Sequence, residues 1–409
     1  MKKTLVSIAA ASLIVSSAMA ADKGIDIVTT GQAVVYYQTT SNNGDVDTQL
    51  FDKEDAVANA GIQLNLDADL KNGFTFGSQL TYLGTAGLEG NLVSGTMQNV
   101  GGAVTNNNLT DEIALTQIFV AKKIANTTVK LGRQELPQSL SPFAYSEGWN
   151  VFKNTFEAAL VVNTDLPDTT LVGAYVSGAN TVNGDLADFN NVSNTNDTTV
   201  NGGAYMLTAQ NKSLPMTTIT ATYYDVAKYV GNDGITAAWG DVAIADKSLP
   251  MGLKVGVQGG KIMLDTAGLD DTSAFGVKVG LAPVENLTLC AAYTSVDDGY
   301  AAIKNIAGVK SPLYTQLIAN NGIITTDNNT YMLKAAYAMG DLGTVILQGT
   351  QTSDESAADN DVTDIELVYK VQAGGVDFLA AYINQSWDNK DTNNADEKNI
   401  VRLVARYNF

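Results

Sequence analysis

From Ile62 to Leu70 the chain alternates without a break. Ile62, Leu64, Leu66, Ala68 and Leu70 fall on one parity; Gln63, Asn65, Asp67 and Asp69 fall on the other. Period two places one set on each face of a β-strand, whereas a helix would scatter both sets around its axis. Lys71-Asn72-Gly73 then supplies the positive φ of a tight hairpin turn. The next run sets Phe74, Phe76, Leu80 and Tyr82 against Thr75, Gln79 and Thr81. The pattern returns at Leu253–Gln258, Phe275–Leu281 and Ile365–Val371. A soluble sandwich also alternates, so strand count and connectors must decide the fold.

Eighteen alternating segments of roughly 8 to 14 residues can be placed, a length suited to tilted membrane strands. Their centres are Val34, Leu64, Gln79, Ile118, Val129, Leu160, Ala174, Met206, Ala221, Ala238, Val257, Val277, Leu289, Leu333, Leu347, Leu367, Ala380 and Leu403. Connectors alternate between short ones, such as Asp165–Pro167 and Ala373–Gly375, and long ones: Ser41–Asp55, Gly84–Asp111, Glu135–Asn154, Gly178–Asn201 and Asp297–Asn328. Pro167, Pro215, Pro250 and Pro283 fall in short turns, while Pro137, Pro142 and Pro312 fall in long loops, so no proline interrupts a proposed strand. Lys212-Ser213-Leu214-Pro215-Met216 and Lys247-Ser248-Leu249-Pro250-Met251 repeat one turn chemistry. The pattern predicts an all-β fold: a single antiparallel transmembrane β-barrel of eighteen strands. Its long loops are extracellular, and both termini lie at the short-turn, periplasmic end.

The amino terminus reads as a secretory leader over residues 1–20, leaving 21–409 as one barrel domain. Lys2 and Lys3 precede the apolar stretch Leu5–Val15, and Ala18-Met19-Ala20 forms a cleavage box. That apolar stretch is too short to span a membrane. Composition excludes most chemistry. The 409 residues include no histidine and one cysteine, which removes histidine bases, histidine metal sites and intrachain disulfides. Forty-three acidic residues against 24 basic, with no basic cluster, argue against a nucleic-acid partner. No enzyme activity and no cofactor are expected. Asp67 and Asp69 need no catalytic role as two inward residues of one strand. Asp359, Asp361 and Asp364, or Asp388, Asp391 and Asp396, are acids of the eighth and ninth outer loops that could meet Ca²⁺ through oxygens. Neither set follows the EF-hand spacing, and no metal site is assigned.

The last strand is amphipathic: Val401, Leu403, Ala405, Tyr407 and Phe409 alternate with Arg402, Val404, Arg406 and Asn408. Ending in Phe409 with Tyr407 two residues earlier, it resembles the signal read by the outer-membrane barrel-assembly machinery. Three further segments carry a wider resemblance: Leu131–Pro137, Phe143–Asn150, and Asn154–Ala158 continuing through Asp165–Tyr175. There the chain resembles the major outer-membrane porins of Campylobacter-type epsilonproteobacteria, and more distantly the OprD porins. The resemblance implies an 18-stranded homotrimeric channel whose third long loop folds into the pore. The segment 135–154 suits that role, because Phe143, Tyr145, Trp149 and Phe152 are too many aromatics for an exposed loop.

An eighteen-stranded barrel leaves an aqueous lumen, so polar residues line water and apolar ones face lipid. The lumen set comprises Gln63, Asn65, Asp67, Asp69, Gln79, Lys130, Glu157, Lys254, Gln258, Lys278, Lys334, Glu366, Lys370, Arg402 and Arg406. The candidate constriction sets the basic wall residues Lys130, Lys254, Lys278, Lys334, Lys370, Arg402 and Arg406 against Glu135 and Glu147 of the inserted loop. Eight tyrosines on apolar faces, Tyr82 to Tyr407, suit an interfacial girdle, and Cys290 faces the lumen. The function expected is passive diffusion of ions and small hydrophilic solutes through the outer membrane, among its lipid and lipopolysaccharide. Acids of the first outer loop (Asp45, Asp47, Asp52, Glu54 and Asp55) imply a weak cation preference. The alternative is an adhesin or structural barrel acting through exposed acidic loops.

Overall fold

The computed structural model describes residues 25–43, 48–89, 91–98, 111–148, 150–181, 185–192, 202–356, 360–389 and 394–409, without the side chains of 389 and 394–396. The leader, Asp45, Asp47, Trp149, Asp359, Asp391 and the side chain of Asp396 lie outside the described residues.

The wall begins with β1 (Asp26–Asn43), β2 (Ala56–Lys71), β3 (Phe74–Gly84), β4 (Glu112–Ile124), β5 (Thr127–Gln134), β6 (Phe156–Asn163) and β7 (Thr169–Ala179). A two-residue strand, β8 (Asn190–Asn191), pairs only with the end of β7. The wall continues with β9 (Ala204–Asn211), β10 (Thr217–Val230), β11 (Asp233–Ala245), β12 (Lys254–Leu264), β13 (Thr272–Val284) and β14 (Leu287–Val296). It ends with β15 (Asn328–Ala338), β16 (Thr344–Asp354), β17 (Asn360–Ala373), β18 (Val376–Asn389) and β19 (Asn394–Asn408). Every neighbouring pair is antiparallel, β7 pairs directly with β9, and β1 pairs with β19. Setting β8 aside, this is a closed barrel of eighteen strands, and each sequence-predicted centre lies within one of them. Closure leaves no open edge, the condition for a sheet to cross a bilayer.

The short turns follow their sequence. Asn72 and Gly73 have φ of 51° and 78°, as a tight hairpin requires. Leu166-Pro167-Asp168, Leu214-Pro215-Met216 and Leu249-Pro250-Met251 build one turn three times. Proline fixes the second position, the third residue has φ of 51°, 59° and 53° respectively, and the i+3 amide returns to the leucine carbonyl. The repeat noted in sequence therefore has a third copy.

Four features depart from expectation. Pro283 lies inside β13, where the register with β14 shifts between Leu281 and Val284; a bulge is where a strand tolerates a missing N–H. Three strands exceed the expected span: β1, β2 and β19 run 18, 16 and 15 residues. Not every outer connector is long, since β10 and β11 join through Gly231 and Asn232 alone. Asp361 and Asp364 belong to β17, Asp388 to β18 and Asp396 to β19, so these acids lie in strands and not in the loops expected for them.

The rule of polar lumen and apolar exterior also fails where loops cover the inner face: Ile346, Val368, Ile383 and Ile400 pack against Ile318 on one side, and a larger sector lies opposite. Val172, Val176, Met206, Val226, Ile235 and Ile262 are buried on the inner face, in a cluster with Leu136, Phe143, Ile303 and Leu313 from two long connectors. Apolar side chains point inward here because loops, and not water, cover them. The outward face carries the expected exposed residues, including Leu333, Leu347, Leu367 and Tyr337. Phe275, Tyr293 and Tyr331 form an aromatic row on β13 to β15, at 5.7 and 4.8 Å between centroids.

Candidate functional site

Connector 135–155, between β5 and β6, crosses the barrel interior. At its base the Lys153 ammonium pairs with Glu135 at 2.7 Å, and Leu136 and Ser146 exchange hydrogen bonds that fold the loop on itself. At its tip Phe143 meets Tyr224 and Trp239 edge-on, 5.5 and 5.3 Å between centroids, and its amide donates to the Tyr224 hydroxyl. Thr208 of β9 donates to the Leu140 carbonyl at 2.8 Å. On the return, Arg406 of β19 donates to the Val151 carbonyl at 2.9 Å. The Phe152 ring lies over Gly61 of β2, where a Cβ would come within 2.5 Å of it. The loop is thus tied to β9–β11 at one end and to β2 and β19 at the other. This is the third long connector, in the place sequence assigned to the inserted loop.

A second connector, 297–327 between β14 and β15, enters the lumen beside it, and sequence reasoning missed it. Tyr314 donates to Asp241 of β11, and the Lys278 ammonium of β13 stands 3.9 Å from the centre of its ring. Gly256 leaves room for that ring, since a Cβ there would lie 2.7 Å from the hydroxyl. Further along, Ile318 N and Ala319 N donate to the buried carboxylate of Glu366 on β17, and Gln385 of β18 donates to the Ala319 carbonyl. The signal available in sequence was apolar density in a long connector: Ile303, Ile306, Leu313, Leu317, Ile318 and Ile324.

Glu147 joins the two loops. Only 2% exposed, its carboxylate accepts from Asn305 Nδ2 at 2.9 Å, Lys310 N at 2.9 Å and Val309 N at 3.2 Å. Gly308 has no side chain because a Cβ would sit 1.8 Å from Glu147 Oε1. Glu147 therefore meets the second loop where opposition to a basic wall was expected. It is engaged there because a buried carboxylate must be matched by donors close at hand, while the half-buried Glu135 pairs with Lys153 and accepts from Gln117 of β4 at 3.3 Å.

The basic residues divide among several sites. Lys370, Arg402 and Arg406 line one cavity of about 580 Å³ with Asn150 and Ile318. Arg402 donates twice to Gln38, at 3.0 and 2.9 Å, and lies 5.6 Å from the Tyr36 ring. Lys278 lines a larger cavity of about 860 Å³ with Asp241, Gln258, Thr220, Tyr314 and Lys310. Lys130 stands apart, its ammonium 3.6 Å above the Phe119 ring. Lys254 is exposed on the inner face of β12, and Lys334 lies opposite Cys290 and Gln348. Tyr407 and Phe409 stack at 5.9 Å at the short-turn rim, away from the loops.

Lys310 is the cation that sequence reasoning overlooked. Its ammonium donates to the Leu317 carbonyl at 2.7 Å, and burial pushes its pKa down to about 8, with Glu366 and Glu147 opposing the shift and Arg402 and Lys370 adding to it. It is charged at pH 7 and loses its proton as pH rises through about 8. Raising pH from 7 to 9 should therefore move the reversal potential of a salt gradient toward cations, with a midpoint near pH 8. Lys310→Met should abolish the step; an unchanged step in that variant would place its origin elsewhere.

The arrangement is a water-accessible barrel narrowed by two crossed loops, with polar cavities against two sectors of the wall. No family profile and no curated protein matches the chain. Solved structures match along nearly its whole length. OccK8 (OprE) of Pseudomonas aeruginosa superposes with a TM-score of 0.72 at 15% identity, covering 94% of this chain and 98% of that one. OpdK of Pseudomonas aeruginosa, solved with vanillate, gives 0.71 at 14% identity, covering 93% and 98%. OccAB3 of Acinetobacter baumannii gives 0.70 at 15%, covering 93% and 99%. At these identities the likeness establishes the barrel architecture.

Proposed function

We propose that the chain is an outer-membrane porin, a water-filled channel for passive diffusion of ions and small hydrophilic solutes. The observation that carries this reading is the lumen of the closed barrel, narrowed by loops 135–155 and 297–327 yet keeping polar cavities of about 860 and 580 Å³. The likeness of fold to a structure described as a BenF-like porin of Pseudomonas fluorescens supports it. In this reading residues 1–20 export the chain, the assembly machinery recognises Tyr407 and Phe409, and the barrel sits as a homotrimer among lipid and lipopolysaccharide. The decisive measurement is planar-bilayer recording of the refolded protein. Stable stepwise openings are expected, and a folded but silent barrel would favour an adhesin.

A weak cation preference is part of the proposal. The outer rim gathers Asp297, Asp298, Asp327, Asp354 and Glu355. Desolvation first, and then these neighbouring acids, lift the Asp327 carboxyl above its usual range. Such a mouth concentrates cations over a screening length of about 8 Å at physiological salt. Lys278, Lys310, Lys370, Arg402 and Arg406 oppose it deeper inside. Reversal potentials should show cation preference that shrinks as ionic strength rises. Strong anion selectivity at both low and high salt would mean that the interior cations dominate.

A further inference from the structure

On the outer side of the crossed loops, a pocket of about 220 Å³ lies between Phe143 and the inner wall. Its body is apolar: Val226, Ile235, Ala237 and Ile262 come from β10, β11 and β12, and Ile306 and Ala307 from loop 297–327. The hydroxyl of Tyr224, which also lines it, is engaged with Phe143 N and Ser141. Polar groups collect at the rim, where Thr181, Asn190, Asn191 and Lys304 are exposed. The volume has a local cause. On β11 the inward residues run Ile235, Ala237, Trp239, so a small side chain stands between two large ones, and Ala307 faces it from the loop.

Apolar volume of this size leaves its lining short of contacts, and an engineered apolar cavity of about 150 Å³ elsewhere stays dry and takes up benzene. We propose that this pocket binds a neutral single-ring aromatic molecule, with the ring in the apolar body and one polar substituent at the Asn190–Asn191 rim. The bound ring holds Phe143 and Ile306, and through them both loops, against the wall. The site is separate from the polar cavities of the proposed channel, so its failure leaves that reading intact.

The test is ¹⁹F NMR of 4-fluorophenol with the refolded, detergent-solubilised barrel, using protein-free micelles as the blank for partitioning. A saturable component is expected, with Kd on the order of 1 mM for so small a ligand. Ala237→Leu and Ala307→Leu each fill the pocket and should weaken binding about tenfold or more, while keeping the heat-modifiable folded band. Should one fail to fold, the other carries the test. Uptake no greater than by micelles, or undiminished binding in a folded filled variant, overturns the site. Tighter binding of 4-fluorobenzoate than of 4-fluorophenol overturns the neutral ligand class, because it would make Lys304 the recognising group.

Discussion

Replacing Glu147 with alanine is expected to separate the two inward loops while leaving the barrel wall folded. The substitution deletes one carboxylate, strands Val309 N and Lys310 N, and leaves Asn305 Nδ2 with the Tyr145 carbonyl alone. Each buried donor left unsatisfied costs about 1–3 kcal/mol. That cost falls on the loop assembly, because none of the strand ladders passes through Glu147. Single-channel conductance should rise, on the order of a doubling if the constriction carries most of the resistance, and the open level should become noisier. Glu147→Gln should lie between. Its amide oxygen can still accept from Asn305 and Lys310, but an NH₂ then faces Val309 N. The readout is conductance and noise in planar bilayers, with heat-modifiable migration reporting the wall. A quiet channel of normal conductance in the alanine variant would mean that the loops are held by their wall contacts alone, through Phe143, Tyr314 and Arg406.

The wall was legible because strand formation leaves a local, periodic trace. Ile62 to Leu70 reads as a strand before anything is known of its partners, and Asn72-Gly73 reads as its turn. What escaped was burial without periodicity. Loop 297–327 packs through Ile303, Leu313 and Leu317 at irregular spacing, so its sequence resembles a solvated connector until the opposite wall is in place. The same blindness affected charge. Glu147 looked like a pore-facing acid because its three donors come from a segment about 160 residues away, two of them backbone amides with no signature in sequence. Lys310 was passed over as a loop residue, although Glu366, Arg402 and Lys370 are close enough to influence its titration. Val226 and Ile235 were assigned no inward role, since which parity faces inward is read from polarity, and here the polar residues Asp225 and Thr236 fall on the outward face.

Deleting Phe409, or replacing it with aspartate, should cut the amount of folded barrel in the outer membrane several-fold under limiting assembly capacity. The reason lies at the seam. Phe409 and Gly31 exchange both backbone hydrogen bonds, N to O at 3.0 and 2.7 Å, which extends the β1–β19 closure by one residue at the short-turn rim. Without the residue, Gly31 N–H and C=O are unpaired beside the membrane, and each polar group left so in hydrocarbon costs several kcal/mol. The side chain adds a second contribution. Gly31 is bare where the Phe409 ring lies, since a Cβ there would come within 2.6 Å, and the ring also stacks on Tyr407. Aspartate would keep the backbone pair but lose the stack and set a charge at the interface. It should therefore retain more folded protein than the deletion, and Phe409→Tyr should retain nearly all. A shift of 1–2 kcal/mol in a marginal step changes cellular abundance several-fold, so a graded series is the expected reading. Folded levels equal to the unmodified chain in both the deletion and the aspartate variant would show that the β1–β19 ladder closes without its last pair.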